Sequence, residues 1–447
     1  EPPARFISMS DITFDPGDLP EMRIIYGPQL PADALYDYVI SAKQKEVLSP
    51  NLPLAFGVPA VDGYDGGVLP LARYVTLQRV FLPEDEVSID GRLRENLSAI
   101  PDGRWLSLFN VRHVITDKLH DAWLDDVFYD LQWGADLGRG EAAAVTHVPH
   151  FEATALGVVS HLRGGAALPD GTSVGVVEID LGEGLTRTFE LRAGQHTAEG
   201  VYGPDAAHAQ AAVGGHFRPP ASSAAEGVQP EGNDYVTRLR WGEPDAPNTV
   251  TVRATLPEGE LVVRGVSLID ERTGGFQALV LSDRGKFRLA HSGDVKIYEN
   301  LDVLPRSFLV HRKTEAADDE RAVALMRAPA FDPAAEVILS TGESAVGTGD
   351  ASPEATGDGP VQGTETAQVV HYAPEQVEIE VNSKAPGYVV LTDAWYPGWE
   401  AAVDGEPAPV YRADLFFRAV AVPAGNHHVV FTFRPRSVGI GVGISLA

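Results

Sequence analysis

Short segments in which polar and apolar residues alternate fill the middle of this 447-residue chain. Such alternation predicts β-strands, because side chains two positions apart point to the same face of a sheet. In the region 151–283 the predicted strands are 174–181, 186–191, 235–240, 249–253 and 262–270. Several short strands separated by turn residues are typical of a β-sandwich. The stretch 206–233, rich in Ala, Gly, Pro and Ser, is predicted to be a long loop.

The region 367–436 has the clearest strand pattern. Its seven alternating segments are 368–372, 376–381, 388–392, 399–403, 409–412, 416–422 and 428–433. Seven strands of this length predict an Ig-like β-sandwich. Pro397 and Gly398 suit a type II turn, because Pro fixes φ and Gly tolerates a positive φ. Asp404 and Gly405 suit a two-residue hairpin turn.

Helix and strand patterns alternate elsewhere. Residues 31–43 and 318–327 have helical apolar spacing, and the second segment begins with acidic residues and ends with Arg, as the helix dipole favours. Further strands are predicted at 22–26, 106–115, 295–300 and 305–310.

These patterns predict a β-rich α+β fold with several domains. Residues 1–150 and 284–340 are expected to form the two parts of an α/β domain, with the sandwich 151–283 inserted between them. The segment 341–366 has few apolar side chains and is expected to be a linker.

The net charge and the lack of cysteine exclude several classes of partner and of chemical site. Carboxylates outnumber Lys and Arg by 63 to 35, so the formal net charge is −28 and nucleic acid is not an expected partner. Anionic lipid headgroups would be repelled as well, so membrane attachment would need an apolar segment. With 0 cysteines, disulfides, thiolate metal sites and a Cys nucleophile are excluded.

Such an apolar segment follows the last predicted strand. Residues 437–447 are small and apolar, and they come directly after the basic pair Arg434 and Arg436. This pattern predicts the start of a membrane span, and the alternative is a frayed apolar tail.

Aromatic residues cluster at one of the predicted turns. Trp395, Tyr396 and Trp399 lie within five residues and could stack on a sugar, whereas strand alternation would bury at least one Trp in the core. Both interpretations stay open at this point.

A second candidate site is a glycine-rich turn that contains Asp62, Tyr64 and Asp65. Its carboxylates could bind a sugar hydroxyl or a cation, and the alternative is a structural turn packed by Tyr64.

No nucleophile elbow or phosphate loop is present. His147 and His150 have a ligand-like spacing, but Pro149 excludes a regular helix and no third ligand is evident, so no catalytic residue, metal site or cofactor is predicted.

Four segments carry a family resemblance. They contain Pro-Asn51-Leu with Val-Asp-Gly63-Tyr-Asp, Leu-Phe-Asn110-Val-Arg-His-Val-Ile, Val-Lys-Ile-Tyr-Glu-Asn300 with Leu-Pro-Arg306-Ser-Phe, and Tyr-Pro-Gly398-Trp with the downstream Phe-Arg-Ala-Val and Arg-Pro motifs. In order and rough spacing they resemble the bacterial YfhO-type membrane proteins. Residues 151–283 loosely resemble galactose-binding-like jelly rolls.

The resemblance implies a polytopic membrane protein related to glycosyltransferases that use lipid-phosphate-linked sugars, with this chain as its extracytoplasmic portion. In that group the catalytic carboxylates lie between N-terminal membrane helices, so none can be assigned here. The parent protein would then be a glycosyltransferase of the cell envelope, and this portion would not be catalytic.

The leading hypothesis is therefore a carbohydrate-binding region that positions a glycan or lipid-linked acceptor above a membrane-embedded transferase site. Its expected partners are the transmembrane helices of the same protein and a glycan or lipid-linked sugar. One alternative is a structural or protein-interaction module. Another is a secreted carbohydrate-active hydrolase, which needs two carboxylates about 5 to 10 Å apart in a cleft.

Overall fold

The computed structural model of the chain describes residues 2–9, 18–63, 70–89, 93–97, 99–200, 214–217, 232–341 and 364–446. The α-helices in these ranges are α1 (Asp18–Tyr26), α2 (Ala32–Glu46), α3 (Ala72–Gln78), α4 (Leu93–Asn96), α5 (Gly103–Leu108), α6 (Asp319–Arg327) and α7 (Arg436–Leu446). Short 3₁₀ helices lie at Leu52–Phe56 and Glu84–Glu86.

The first fourteen strands are β1 (Arg5–Ser8), β2 (Val111–Thr116), β3 (Asp121–Leu124), β4 (Val127–Asp130), β5 (Ala135–Leu137), β6 (Ala142–Val145), β7 (Ala153–Arg163), β8 (Ser173–Asp180), β9 (Thr186–Arg192), β10 (Gly214–Phe217), β11 (Gly232–Asp245), β12 (Thr249–Ala254), β13 (Glu260–Asp270) and β14 (Gly275–Leu279). The others are β15 (Phe287–Ser292), β16 (Lys296–Asn300), β17 (Ser307–Val310), β18 (Arg312–Ala316), β19 (Glu336–Ser340), β20 (Thr366–Ala373), β21 (Gln376–Ser383), β22 (Gly387–Leu391), β23 (Trp399–Val403), β24 (Glu406–Ala408), β25 (Tyr411–Ala413), β26 (Phe417–Val422) and β27 (Gly425–Phe433). The predicted β-rich fold with several domains is confirmed.

The chain divides into two compact units. Unit 1 consists of Glu1–Ile12, Leu48–Val114 and Asp302–Ala447, and unit 2 consists of Thr13–Val47 and Ile115–Leu301. The predicted domain boundaries stay predictions, but the strand pairing described below adds residues to the start of both sandwiches.

Unit 2 contains a β-sandwich. One sheet has the order β10-β11-β7-β13-β14, with β5 also paired to β13, and the other has the order β6-β12-β8-β9. Alternate side chains of both sheets, such as Leu156, Leu268, Val177 and Val252, are fully buried in a shared core. The strands predicted between 174 and 270 are confirmed, and β5 and β6 extend the sandwich before residue 151.

Two further features belong to this sandwich. The hairpin β3–β4 covers the outer face of the larger sheet, where Tyr129 packs with Val159 and Ile269 in a second core. The predicted loop 206–233 is wrong for Gly214–Phe217, which forms β10 and pairs antiparallel with β11. The tertiary pairing overrides the low strand propensity of this segment.

Unit 1 also contains a β-sandwich. Its sheets have the orders β17-β22-β26-β25-β19-β18 and β20-β21-β27-β23-β24, and Val389, Val420 and Phe431 lie in the core between them. All seven strands predicted in 367–436 are present. Three strands from before the predicted linker, β17, β18 and β19, join the first sheet. β18 and β19 run parallel and α6 connects them, capped by the Asp318 side chain, which accepts a hydrogen bond from the Arg321 backbone N–H.

Both predicted turns of this sandwich are present. Asp404 and Gly405 have φ of 54° and 87° and connect the paired residues Val403 and Glu406. Gly398 has φ of 110°, and a Cβ at this position would lie 2.9 Å from Cα of Pro435. Gly398 is therefore required by backbone conformation and by space.

Two strand predictions in the rest of the chain need correction. Residues 22–26 belong to helix α1. The strand prediction was wrong because a short apolar run without clear periodicity does not distinguish a strand from a helix. The strand predicted at 106–115 is split into α5 and β2. The Asp102 carboxylate caps α5 by accepting from the Arg104 backbone N–H, and Asn110, with φ of 56°, separates the helix from the strand.

Helix α7 occupies the predicted start of a membrane span. Its side chains Ile440, Ile444 and Leu446 are exposed. Among the described helices, α7 included, none is both long enough and apolar enough to cross a bilayer. The span stays a prediction.

Candidate functional site

The aromatic cluster predicted at the turn divides into buried and exposed members. Trp395 and Trp399 are only 8% and 9% exposed and belong to the core of the unit 1 sandwich, whereas Tyr396 is 48% exposed. The guanidinium of Arg73 lies 5.2 Å from the Trp395 ring centroid, and that of Arg418 lies 3.6 Å from the Trp399 ring centroid. Tyr396 is thus the member of the cluster that is open to a ligand, and the ligand role of all three stays a prediction.

Asp62, from the predicted glycine-rich turn, is part of a buried ion pair. Its Oδ2 lies 3.0 Å from Nε of Arg94, and both side chains are 3% exposed. Tyr64 and Asp65 lie outside the described residues. The Asp62 carboxylate is therefore occupied by Arg94, and the ligand role of this turn stays a prediction. No group of three His, Cys, Asp or Glu side chains in the described ranges is arranged to hold a metal ion.

A charged cluster that the sequence analysis did not identify surrounds Asp393, two residues after the end of β22. We call Arg5, Arg306, Tyr372, Asp393 and Arg418 the Asp393 cluster. Oδ1 of Asp393 accepts hydrogen bonds from Arg5 at 2.8 Å and from Arg306 at 3.2 Å. Oδ2 accepts from the Tyr372 hydroxyl at 3.1 Å and from Arg418 at 3.3 Å.

Strand pairing brings these residues together. Leu391 of β22 is paired with Ser307 of β17 on one side and with Arg418 of β26 on the other. The Thr392 backbone N–H then donates to the Arg306 carbonyl at 3.0 Å, which holds the chain at the start of β17 beside Asp393. Arg5 reaches the same point from β1 and donates to the Thr392 carbonyl at 2.7 Å. The cluster is thus built on the backbone at one end of a sheet.

Positive charge exceeds negative charge in the Asp393 cluster. Three guanidinium groups surround one carboxylate, and the side chains of Arg306 and Arg418 are only 3% and 2% exposed. Burial, and then the charge of Arg306, lowers the pKa of Arg5 to about 10, and burial lowers the pKa of Arg418 to about 10. Burial and then the charge of Asp393 raise the pKa of Tyr372. Desolvation is therefore not fully compensated by the single carboxylate.

Some donors of the cluster lack an acceptor. Within the part of the chain that the structure describes, Nε of Arg306 and both Nε and Nη1 of Arg418 are buried without a hydrogen-bond partner. The Arg418 guanidinium instead lies against the face of Trp399, where the ring quadrupole attracts the cation. Arginines in this arrangement are suited to recognition of an anion.

The sequence contained a weak signal for this cluster. Arg306, Asp393 and Arg418 lie within or beside the motifs that carry the family resemblance, and Arg418 is a charged residue inside an apolar strand. A charge in such a position needs a partner when it is buried. The identity of the partner could not be read from the sequence, since Arg5 and Asp393 are 388 positions apart.

Comparisons with known proteins give one family match. Residues 362–445 match the family described as bacterial membrane protein YfhO. The matched segment contains strands β20 to β27, most of α7, and the cluster residues Tyr372, Asp393 and Arg418. This part of the chain is thus similar to a family of bacterial membrane proteins, which supports membrane association. No curated protein matches significantly.

Solved structures of the arabinofuranosyltransferase AftD from mycobacteria also match. One covers 75% of this chain and 25% of its own length at 12% identity with a TM-score of 0.16, and a mutant form covers 45% and 10% at 12% identity with a TM-score of 0.14. This chain therefore spans a quarter or less of those proteins. Superpositions with such TM-scores support no conclusion about fold or activity.

Proposed function

We propose that this chain is a non-catalytic, extracytoplasmic region of a YfhO-like membrane protein that positions a glycan or a lipid-linked acceptor for a membrane-embedded glycosyltransferase site. The observation that carries this proposal is the family match at 362–445, because the matched segment also contains the exposed Tyr396 and three residues of the Asp393 cluster, Tyr372, Asp393 and Arg418. The transmembrane helices of the same protein are the proposed structural partner.

The chemistry of the unit 1 sandwich agrees with such a role. An exposed aromatic ring can stack on the C–H face of a sugar, and arginine donors can bind acidic groups. The strong negative charge of the chain makes non-specific adsorption to a surface of anionic lipid headgroups unfavourable. Attachment through a continuous apolar segment is therefore the proposed mode of membrane association.

The test is a glycan array followed by calorimetric titration with the glycans and lipid-linked sugars that bind. Tyr396→Ala should weaken binding by about tenfold, as expected when one stacking contact is lost. Trp123→Ala removes an exposed aromatic ring from unit 2 and serves as the control, for which no change is expected. A folded chain that binds no glycan and no lipid-linked sugar would contradict the positioning role.

The burial of Trp395 and Trp399 favours a second candidate, a structural or interaction module. For such a module the tryptophans stabilise the sandwich, and the binding surface is a protein surface. Cross-linking of the full-length parent protein in membranes would test this candidate. Cross-links from unit 1 to membrane helices, together with no glycan binding, would favour it over the positioning role.

A further inference from the structure

The Asp393 cluster has a deficit of negative charge. Beyond Asp393, its arginines donate to the backbone carbonyls of Phe109 at 3.0 Å, Thr392 at 2.7 Å and Pro3 at 2.8 Å. Carbonyl oxygens satisfy donors but carry no net charge. Three guanidinium groups and one carboxylate therefore leave a formal charge of about +2 at the site.

The cluster also has unused donors. Arg306 and Arg418 contribute three buried nitrogen positions without an acceptor in the described residues. Because these nitrogens are buried, they contribute uncompensated positive charge to the site and do not themselves contact a ligand from solvent. A phosphate group offers several oxygens and a charge of about −1.5 to −2 as a monoester at pH 7, which matches the surplus.

One edge of the cluster is accessible. The side chains of Asp393 and Arg5 are 12% and 15% exposed, and Tyr372 is 46% exposed. The deeper arginines, Arg306 and Arg418, lie behind this edge and act through their charge and through Asp393. A ligand approaching from solvent would therefore meet Arg5 and the Tyr372 hydroxyl first.

From these observations we propose that the Asp393 cluster is a binding site for a phosphate group, with Arg5 and Tyr372 at its entrance and Asp393 holding the arginines in position when no ligand is bound. The inference rests on the proposed function, since it names the chemical group by which the positioned molecule is recognised. The phosphate could belong to a lipid headgroup or to a phosphorylated sugar, because the arginines recognise the same group in both.

Calorimetric titration of the chain with inorganic phosphate tests the site. Two substitutions that change its charge are expected to shift the phosphate affinity in opposite directions. Asp393→Asn removes the competing carboxylate and should tighten binding by about tenfold, whereas Arg5→Gln should weaken it by about tenfold. Arg240→Gln is the matched control, because Arg240 is an exposed arginine paired with Glu271 in unit 2, and no change is expected. Absence of saturable binding, or equal effects of Arg5→Gln and Arg240→Gln, would overturn the proposal.

A milder variant covers the case in which either charge change prevents folding. Tyr372→Phe removes only the hydroxyl at the accessible edge and should weaken phosphate binding by a factor of about three to ten. Unchanged affinity in this variant would count against the site as described. Thermal melts with and without phosphate check that each variant is folded.

Two ligands distinguish the source of the phosphate. Phosphatidylcholine vesicles with and without phosphatidic acid report a lipid headgroup, and a hexose 1-phosphate reports a phosphorylated sugar. Arg5-dependent binding of either supports the site. Binding of neutral glycans alone, insensitive to Arg5→Gln, would overturn the phosphate site and leave the proposed function standing, whereas no binding of any of these ligands would overturn both.

Discussion

Replacing Asp414 with Asn is expected to make the chain more stable at pH 8. Asp414 is 1% exposed in unit 1, between β25 and β26. Its Oδ1 accepts a hydrogen bond from the Ile338 backbone N–H at 2.8 Å, and its Oδ2 is buried with no partner in the described residues. Burial raises the pKa of Asp414 from 3.8 to about 7, and the charge of Glu336 adds to this effect.

The sign of the effect follows from proton linkage. Between pH 3.8 and about 7 the folded chain keeps the proton of Asp414 and the unfolded chain has lost it, so stability falls as pH rises through this window. A shift of about three pKa units corresponds to about 4 kcal/mol at pH 8. Asn keeps the acceptor for Ile338 but places an unpaired amide at the position of Oδ2, which costs about 1–3 kcal/mol.

The net expectation for Asp414→Asn is a gain of about 1–3 kcal/mol at pH 8 and a loss of about 0–2 kcal/mol near pH 4.5, where the ionisation cost that the substitution removes has fallen to about 1 kcal/mol. Denaturant unfolding at several pH values between 4.5 and 8 measures both. Glu406→Gln, the same chemical change at an exposed position of β24, is the control and should alter neither value. A stability difference between Asp414→Asn and the parent chain that does not change with pH would refute the reasoning.

Two further predictions concern the stability of the fold. Gly398→Ala should destabilise the chain by about 1–3 kcal/mol in thermal melts, because the new Cβ meets Pro435 and φ is positive. Gly405→Ala is the control and should cost less, because φ is positive there but the space is open. An equal cost of the two substitutions would contradict the steric argument. Arg94→Met should destabilise by about 3–5 kcal/mol in denaturant unfolding, because it leaves the Asp62 carboxylate buried without its partner. Adding Asp62→Leu should recover most of this loss, and failure to recover would show that the ion pair is not its source.

Local features of the fold could be predicted from the sequence. Strands β8, β9 and β12 were identified by alternation, because the period of two reports directly which face is buried. The hairpin at Asp404 and Gly405 was identified because few residues adopt its two positive φ angles. Helix α6 was identified from its apolar spacing and its terminal charges.

Where periodicity was weak or the residues were far apart, the sequence was insufficient. Helix α1 was predicted as a strand because five residues define no period. The assignment of β17, β18 and β19 to the C-terminal sandwich depends on hydrogen bonds across the predicted linker, which no local pattern encodes.

The candidate site shows the same division. Sequence alone placed Trp395, Tyr396 and Trp399 around a predicted turn, since neighbours in the chain and the conformational preferences of Pro and Gly decide this. Only the tertiary structure decided that both tryptophans are buried and that three arginines meet at one carboxylate. The physical reason is that burial and charge pairing are properties of residues brought together across strands, and their free energies depend on the surroundings that folding creates.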